Sequence, residues 1–134
     1  MAVSALECGL LPISQFAMQF YNRVAYHDYE GVSLELDERE RLVKDLGDNK
    51  VMILRNHGLL TAGRTISEAF YLMYYLNRSC EVQITAQSSG AKLVIPPEFV
   101  CEHSALQQDI ENLGQLEWSA LIRMLDREDP SYRN

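Results

Sequence analysis

The sequence predicts an α/β domain, because segments with helical spacing of apolar residues alternate with short apolar segments typical of strands. The chain has 134 residues, 47% of them hydrophobic and 23% charged, which is ordinary for one globular domain. Two apolar runs, at 51–54 and 59–62, flank Asn56-His57-Gly58. This strand–turn–strand pattern predicts that the sheet is at least partly antiparallel, and we expect a mainly antiparallel central sheet.

The elements of the first half follow from local signals. Ser14 precedes apolar residues at helical spacing over 16–24, which predicts a helix with Ser14 as its N-cap. Residues 32–36 alternate apolar and polar side chains, which is typical of a half-buried strand. Asp37 opens a D-x-x-E capping box, and Gly47 is a fitting end for the helix that follows.

The second half is dominated by helical patterns. The T-x-x-E capping box at Thr65 predicts the start of the strongest helix, with Glu68 on its polar face. The residues predicted on its apolar face are Ile66, Phe70, Met73, Leu76, Cys80 and Ile84. Residues 92–95 predict a short strand or extended link. Gly114 is expected to separate a helix at about 98–112 from another at about 116–127, before an irregular tail.

Charge and cysteine usage exclude several classes of partner. Lys and Arg number 12 against 19 Asp and Glu, so the net charge of −7 argues against binding to nucleic acid or to an anionic membrane surface. No apolar run approaches the roughly 18 residues of a membrane span, and the first residues lack the pattern of a secretory signal. Three cysteines without C-x-x-C spacing predict neither a disulfide framework nor a zinc knuckle. We therefore expect a cytoplasmic protein.

His57 is the one position where chemistry stands out, since its imidazole lies in a turn between two predicted strands. Neutral imidazole is a common ligand of divalent metals, but one histidine cannot hold zinc alone. His27 and His103 form no H-x-H or H-x-x-x-H pair with it. The residues alone leave two interpretations open: a structural or solvated turn histidine, and a metal ligand.

Several motifs in order resemble the class II aldolase/adducin family. They are M-I-L-R-N-H-G-L-L at 52–60 with S-E-A-F at 67–70, G-L-L-P-I-S at 9–14 and V-A-Y-H-D-Y-E-G at 24–31. The matching region covers about 9–87, and the end of the chain is similar to the tails of bacterial members. We expect residues 1–134 to form one partial domain of this type, with C-terminal helices at about 98–127.

The resemblance implies a three-layer α/β/α domain that assembles into a homo-oligomer, a tetramer in the family, with active sites at subunit interfaces. Family enzymes are metal-dependent lyases, typically zinc-dependent, that cleave carbon–carbon bonds in small sugar phosphates or related hydroxy-keto compounds through a metal-stabilised enediolate. By position, His57 corresponds to the third histidine ligand. Asn56, Tyr26, Tyr29 and Tyr132 are candidates for an interface or for positions near the site.

The family's H-x-H pair, its acid/base glutamate and its phosphate-binding loop precede Ala2. We therefore expect an N-terminally truncated domain, inactive by itself, with its zinc site incomplete or absent and no catalytic residue assigned. Unpaired strands should make it self-associate. Two alternatives stay open: a non-catalytic binding or oligomerisation module like the adducin head, which the acidic end of the chain disfavours, and an inactive remnant.

Overall fold

The computed structural model describes residues 2–32 and 37–133. The strands are β1 (Val24–His27), β2 (Val51–Leu54) and β3 (Gly58–Thr61). The α-helices are α1 (Gln15–Met18), α2 (Glu38–Leu46), α3 (Ile66–Ser88), α4 (Glu98–Gln107) and α5 (Gln115–Glu128). Short 3₁₀ helices at Ala2–Ala5 and Pro130–Arg133 complete the described elements. Of the strand predicted at 32–36, residues 33–36 lie outside the described part.

The three strands form one sheet in the order β1-β2-β3. β2 and β3 are antiparallel, with Leu54 opposite Gly58, which confirms the strand–turn–strand prediction. β1 and β2 are parallel, with Val24 opposite Val51, so the expectation of a mainly antiparallel sheet is wrong and the described sheet is mixed. The reason is the connection: α2 lies between β1 and β2 in the chain and carries it back to the same end of the sheet.

The first predicted helix is shorter than its pattern suggests. Ser14 is its N-cap as predicted, and its hydroxyl accepts the Ala17 N–H at 3.2 Å. The helix ends at Met18, however, and Val24 already begins β1. Asn22 has a left-handed φ of 56°, which turns the chain out of the helix and into the strand.

Helices pack on both faces of the sheet. Val51 packs with Leu72 and Leu76 of α3, and Ile53 packs with Cys80 of the same helix. Because side chains alternate along a strand, His27 of β1 faces the opposite side from Tyr26, and it contacts α2 there. α2 itself ends at Gly47 as predicted, although Asp37 makes no side-chain capping bond.

The buried face of α3 differs from the predicted one. Leu76 and Cys80 are buried as expected, but Ile66 and Phe70 are 73% and 41% exposed. The face of α3 that packs against the rest of the domain instead includes the polar residues Glu68, Ser79 and Gln83, which are buried. Gln83 is satisfied there by long-range bonds: its amide donates to the Gly9 carbonyl at 2.8 Å and accepts the Leu11 N–H at 2.8 Å. Hydrophobic periodicity carries no information about such distant partners.

The C-terminal region is helical, as predicted. Gly114 has a φ of 81° and precedes α5, while α4 ends at Gln107, earlier than expected. The segment at 92–95 forms no strand, which leaves the extended-link alternative. Within residues 2–32 and 37–133, no helix is both long and apolar enough to cross a membrane.

Candidate functional site

His57 lies in the tight turn that joins β2 to β3. The preceding Asn56 has a left-handed φ of 57°, a conformation that asparagine tolerates better than most residues. The His57 N–H donates to the Leu54 carbonyl at 3.1 Å, which closes the turn. The His57 side chain is exposed, and in the described part of the chain its imidazole makes no hydrogen bond or ion pair. Both ring nitrogens can therefore bind an incoming group.

The segment that begins the chain is anchored against this turn. The Asn56 N–H donates to the Ser4 carbonyl at 3.1 Å, and the Arg55 guanidinium donates to the Leu6 carbonyl at 2.6 Å. The same guanidinium lies 4.4 Å from the ring centroid of Tyr26. The 3₁₀ helix at Ala2–Ala5 thus lies beside the turn that carries His57.

A cavity of about 140 Å³ opens next to His57. The residues that line it are His27, Asp28, Tyr29, Glu30, Gly31, Glu38, Leu42, Leu54, Arg55 and His57. Tyr29 is 56% exposed and is the one predicted tyrosine at this cavity. Asn56 does not line it, although its backbone shapes the turn.

The other two candidate tyrosines lie elsewhere. Tyr26 packs inside the domain, where its hydroxyl accepts the Leu10 N–H at 3.1 Å and its ring stacks under Arg55. Tyr132 lies at the end of the chain, where its hydroxyl donates to the Asp126 carboxylate. The structure therefore brings Tyr29 to His57 and does not bring Tyr132 there.

His27 is a buried histidine between two carboxylates of α2. Its Nδ1 lies 2.7 Å from Asp45 Oδ2, and its Nε2 lies 3.8 Å from Glu38 Oε1 without a hydrogen-bond partner in the described residues. A carboxylate at Nδ1 fixes the ring orientation and the proton position. Sequence reasoning missed Glu38 and Asp45; their i, i+7 spacing on one helix face is the signal that could have found them.

These residues do not complete a metal site. Among residues 2–32 and 37–133, no group of three or more histidine, cysteine or acidic side chains could hold a metal ion. A catalytic zinc site normally needs three protein ligands, and His57 supplies one. Two of the three cysteines, Cys80 and Cys101, are buried, and burial raises the pKa of the Cys80 thiol, which makes it a poor ligand and nucleophile. Cys8 is exposed but does not line the cavity beside His57.

Comparison with known proteins identifies relatives of this fold. The family model for the class II aldolase and adducin N-terminal domain matches residues 1–84. A Pseudomonas aeruginosa protein named for the class 2 aldolases is 44% identical over 138 residues, covering 98% of this chain and 53% of the relative. Alpha-adducin of Rattus norvegicus is 40% identical over 141 residues, covering 93% of this chain and 19% of the adducin.

Solved structures agree. An aldolase II superfamily protein from Pseudomonas syringae superposes with a TM-score of 0.91 at 51% identity, covering 99% of this chain and 55% of that one. The L-fuculose 1-phosphate aldolase of Glaciozyma antarctica superposes with a TM-score of 0.79 at 26% identity, covering 97% and 49%. The chain spans about half the length of its bacterial relatives. With the His57 turn and the sheet that carries it, these matches show that the chain belongs to the class II aldolase/adducin family.

Proposed function

We propose that this chain is part of a metal-dependent class II aldolase-type lyase that acts on small sugar phosphates or related hydroxy-keto compounds. The observation that carries the proposal is the exposed imidazole of His57, which lines a cavity and makes no hydrogen bond or ion pair with the residues that the structure describes. In this role His57 is one ligand of a divalent metal, zinc in most family enzymes. The L-fuculose 1-phosphate aldolase among the structural relatives supports this substrate class.

The remaining ligands and the catalytic base come from outside the described residues in this proposal. The hydrogen bond between Asn56 N–H and the Ser4 carbonyl supports this, because it holds Ala2–Ala5 against the His57 turn. Residues that precede Ala2 in a longer chain would approach the same turn. Relatives about twice as long as this chain have room for such a segment.

The proposal also covers the layer architecture, the oligomeric state and the cellular location of the whole protein. α3 and α2 on opposite faces of the sheet support a three-layer α/β/α domain. Exposed large apolar side chains such as Val94, Phe99 and Leu116 support a homo-oligomer that covers them. Tyr29, exposed beside His57, would then face a neighbouring subunit or the substrate. A cytoplasmic location suits a protein whose cysteines are free.

The decisive experiment measures metal content and carbon–carbon cleavage in the product of the full reading frame that encodes this chain. We expect stoichiometric zinc and release of an aldehyde from ketose 1-phosphates, L-fuculose 1-phosphate among them. His57→Ala should lose both properties. His103→Ala, which removes an exposed histidine from α4, is the matched control and should retain them. Stoichiometric zinc in His57→Ala would show that His57 is not a ligand.

A non-catalytic module remains the alternative, and the adducin matches are the observation that favours it. It predicts that the full reading frame yields an oligomer with neither zinc nor cleavage activity. An inactive remnant also predicts neither zinc nor cleavage activity, but it self-associates without forming an oligomer of defined size, which light scattering distinguishes. Stoichiometric zinc in the 134-residue chain itself would exclude the remnant.

A further inference from the structure

A histidine nitrogen and a carboxylate face each other without a hydrogen bond where α2 packs on β1. His27 Nε2 is buried and has no hydrogen-bond partner in the described part of the chain. Glu38 Oε1 lies 3.8 Å from it, which is beyond hydrogen-bond distance. The Glu38 side chain is only 12% exposed, and its carboxylate makes no hydrogen bond to the residues that the structure describes. Two largely buried polar groups are thus both unsatisfied.

The proton on the other ring nitrogen explains this arrangement. Nδ1 of His27 lies 2.7 Å from Asp45 Oδ2, so it carries the proton and donates it to this carboxylate. In the neutral ring Nε2 then holds a lone pair, so both Nε2 and the Glu38 oxygen are acceptors. A separation of 3.8 Å fits two acceptors with no proton between them. One additional proton on Nε2 would satisfy both groups at once.

The groups that face His27 are mostly acidic. α2 contributes the carboxylates of Glu38 and Asp45. Arg55, the one permanent cation among the described residues that line the cavity, donates to the Leu6 carbonyl. An imidazolium at His27 would have a carboxylate on each side, which meets the requirement that a buried charge be paired. The other titratable or charged groups around this cavity are Asp28, Tyr29, His57 and Glu30 with its partner Arg41.

We propose that His27, Glu38 and Asp45 form a pH-sensitive clasp that holds α2 on β1. Histidine gains or loses a proton between about pH 5 and 8. When both ring nitrogens are protonated, His27 donates to Asp45 in the last turn of α2 and to Glu38 in its first turn; a shift of about 1 Å brings Nε2 within hydrogen-bond distance. When Nε2 returns its proton to solvent, the contact with Glu38 is lost and the contact with Asp45 remains.

The clasp acts on one wall of the cavity beside His57, because Glu38 and Leu42 of α2 line that cavity. None of the described residues of α2 is buried. A helix with so few buried apolar contacts opens locally at low cost, so its attachment depends on polar contacts such as those of His27. This wall is therefore held more firmly at acid than at alkaline pH.

NMR of the ¹⁵N-labelled 134-residue chain, in a chelator, tests the clasp. Imidazole ¹⁵N shifts report the protons on each ring nitrogen, and His57→Ala and His103→Ala assign the three histidine signals. Amide hydrogen exchange, corrected for its intrinsic pH dependence, reports the protection of α2. Because no metal is present, neither readout depends on the proposed lyase activity.

We expect Nδ1 of His27 to keep its proton from about pH 8.5 to 5.5, and Nε2 to gain one as the pH falls. Protection of Glu38–Leu46 should rise about tenfold over the same range, which is the effect of one hydrogen bond to a charged group. If Nε2 stays in one protonation state throughout, or if the protection of α2 does not follow it, the clasp is overturned.

Two variants of α2 locate the effect. Glu38→Gln supplies an amide N–H that can donate to neutral Nε2, so the protection of α2 should change by less than about twofold over this pH range. Glu40→Gln removes an exposed carboxylate of the same helix that does not line the cavity, and it should respond to pH as the parent chain does. An unchanged response in Glu38→Gln, or a lost response in Glu40→Gln, would refute the role of Glu38. The parent chain alone decides the matter if Glu38→Gln does not fold.

Discussion

Glu68 is a buried carboxylate that ties the start of α3 to the neighbouring backbone, and its replacement by glutamine gives a sharp test of the fold. Its side chain is 7% exposed. One oxygen accepts from Lys50 Nζ at 2.7 Å and the other accepts the Arg64 N–H at 2.6 Å. The Glu68 N–H in turn donates to the Thr65 hydroxyl at 3.1 Å, as the capping box predicts. Glutamine keeps one of the two acceptor atoms and places a donor where the other was.

The expected loss follows from these contacts. A hydrogen bond to a charged group contributes about 1.5–3 kcal/mol, and a buried donor left unpaired costs a similar amount. The Lys50 side chain is 41% exposed and can turn to water, which keeps the loss at the lower end. We expect Glu68→Gln to lower the free energy of unfolding by about 2 kcal/mol. At roughly 3–4 °C per kcal/mol for a chain of this size, Tm should fall by about 7 °C.

The pH dependence of stability gives a second readout. Burial pushes the pKa of Glu68 up, but the hydrogen bonds from Lys50 and the Arg64 backbone, with the charges of both side chains, outweigh it and hold the pKa below its ordinary value of 4.5. A carboxyl whose folded pKa is depressed contributes stability that is present above its unfolded pKa and lost as pH falls through the folded pKa. The parent chain should therefore lose more stability below pH 4.5 than Glu68→Gln does.

Urea unfolding followed by circular dichroism at several pH values measures both effects. The matched control is Glu81→Gln, which removes a carboxylate of the same helix that is 50% exposed and paired with Arg78. Exposed ion pairs contribute little, so the control should change stability by less than about 1 kcal/mol. The reasoning is refuted if Glu68→Gln unfolds with the same midpoint and the same pH profile as the parent chain.

The same urea measurements test three further expectations. Gly114→Ala should lower the free energy of unfolding by about 3 kcal/mol, because a Cβ there would lie 2.4 Å from the Ser67 carbonyl oxygen at a φ of 81°. Gly90 has a φ of 69° and open space around it, so Gly90→Ala should lower it by only about 1 kcal/mol. Equal losses in the two variants would contradict the steric argument. His57→Ala should change stability by less than about 0.5 kcal/mol, since its imidazole is exposed and has no partner among the described residues, and a larger loss would point to a structural role. Gln19→Leu should raise stability by about 1 kcal/mol by removing a buried amide whose Nε2 has no hydrogen-bond partner in the described part of the chain, and destabilisation would indicate that this amide is satisfied.

Local chemistry in the sequence determined much of the fold. Ser14 and Thr65 cap helices because a hydroxyl reaches the backbone three residues on, and Gly114 separates two helices because its left-handed backbone has no Cβ to strain. β2 and β3 follow from two apolar runs joined by a turn. The family to which the chain belongs could be identified from the sequence for a related reason, because the motifs that mark it are contiguous stretches of chain. In each case the partners lie within a few residues of one another.

Tertiary structure alone decided the rest. The parallel pairing of β1 with β2 depends on where α2 delivers the chain, and the buried face of α3 depends on Gln83 meeting backbone more than seventy residues away. The contact of His27 with Asp45 joins a strand to a separate helix. The helix and strand propensities of single residues do not depend on such distant partners, whereas the energy of a buried polar group depends on the groups that folding brings beside it. The sequence thus indicated most of the helices, the pair of strands β2 and β3 and the candidate ligand, whereas packing decided where β1 begins, which polar side chains are satisfied and which face a cavity.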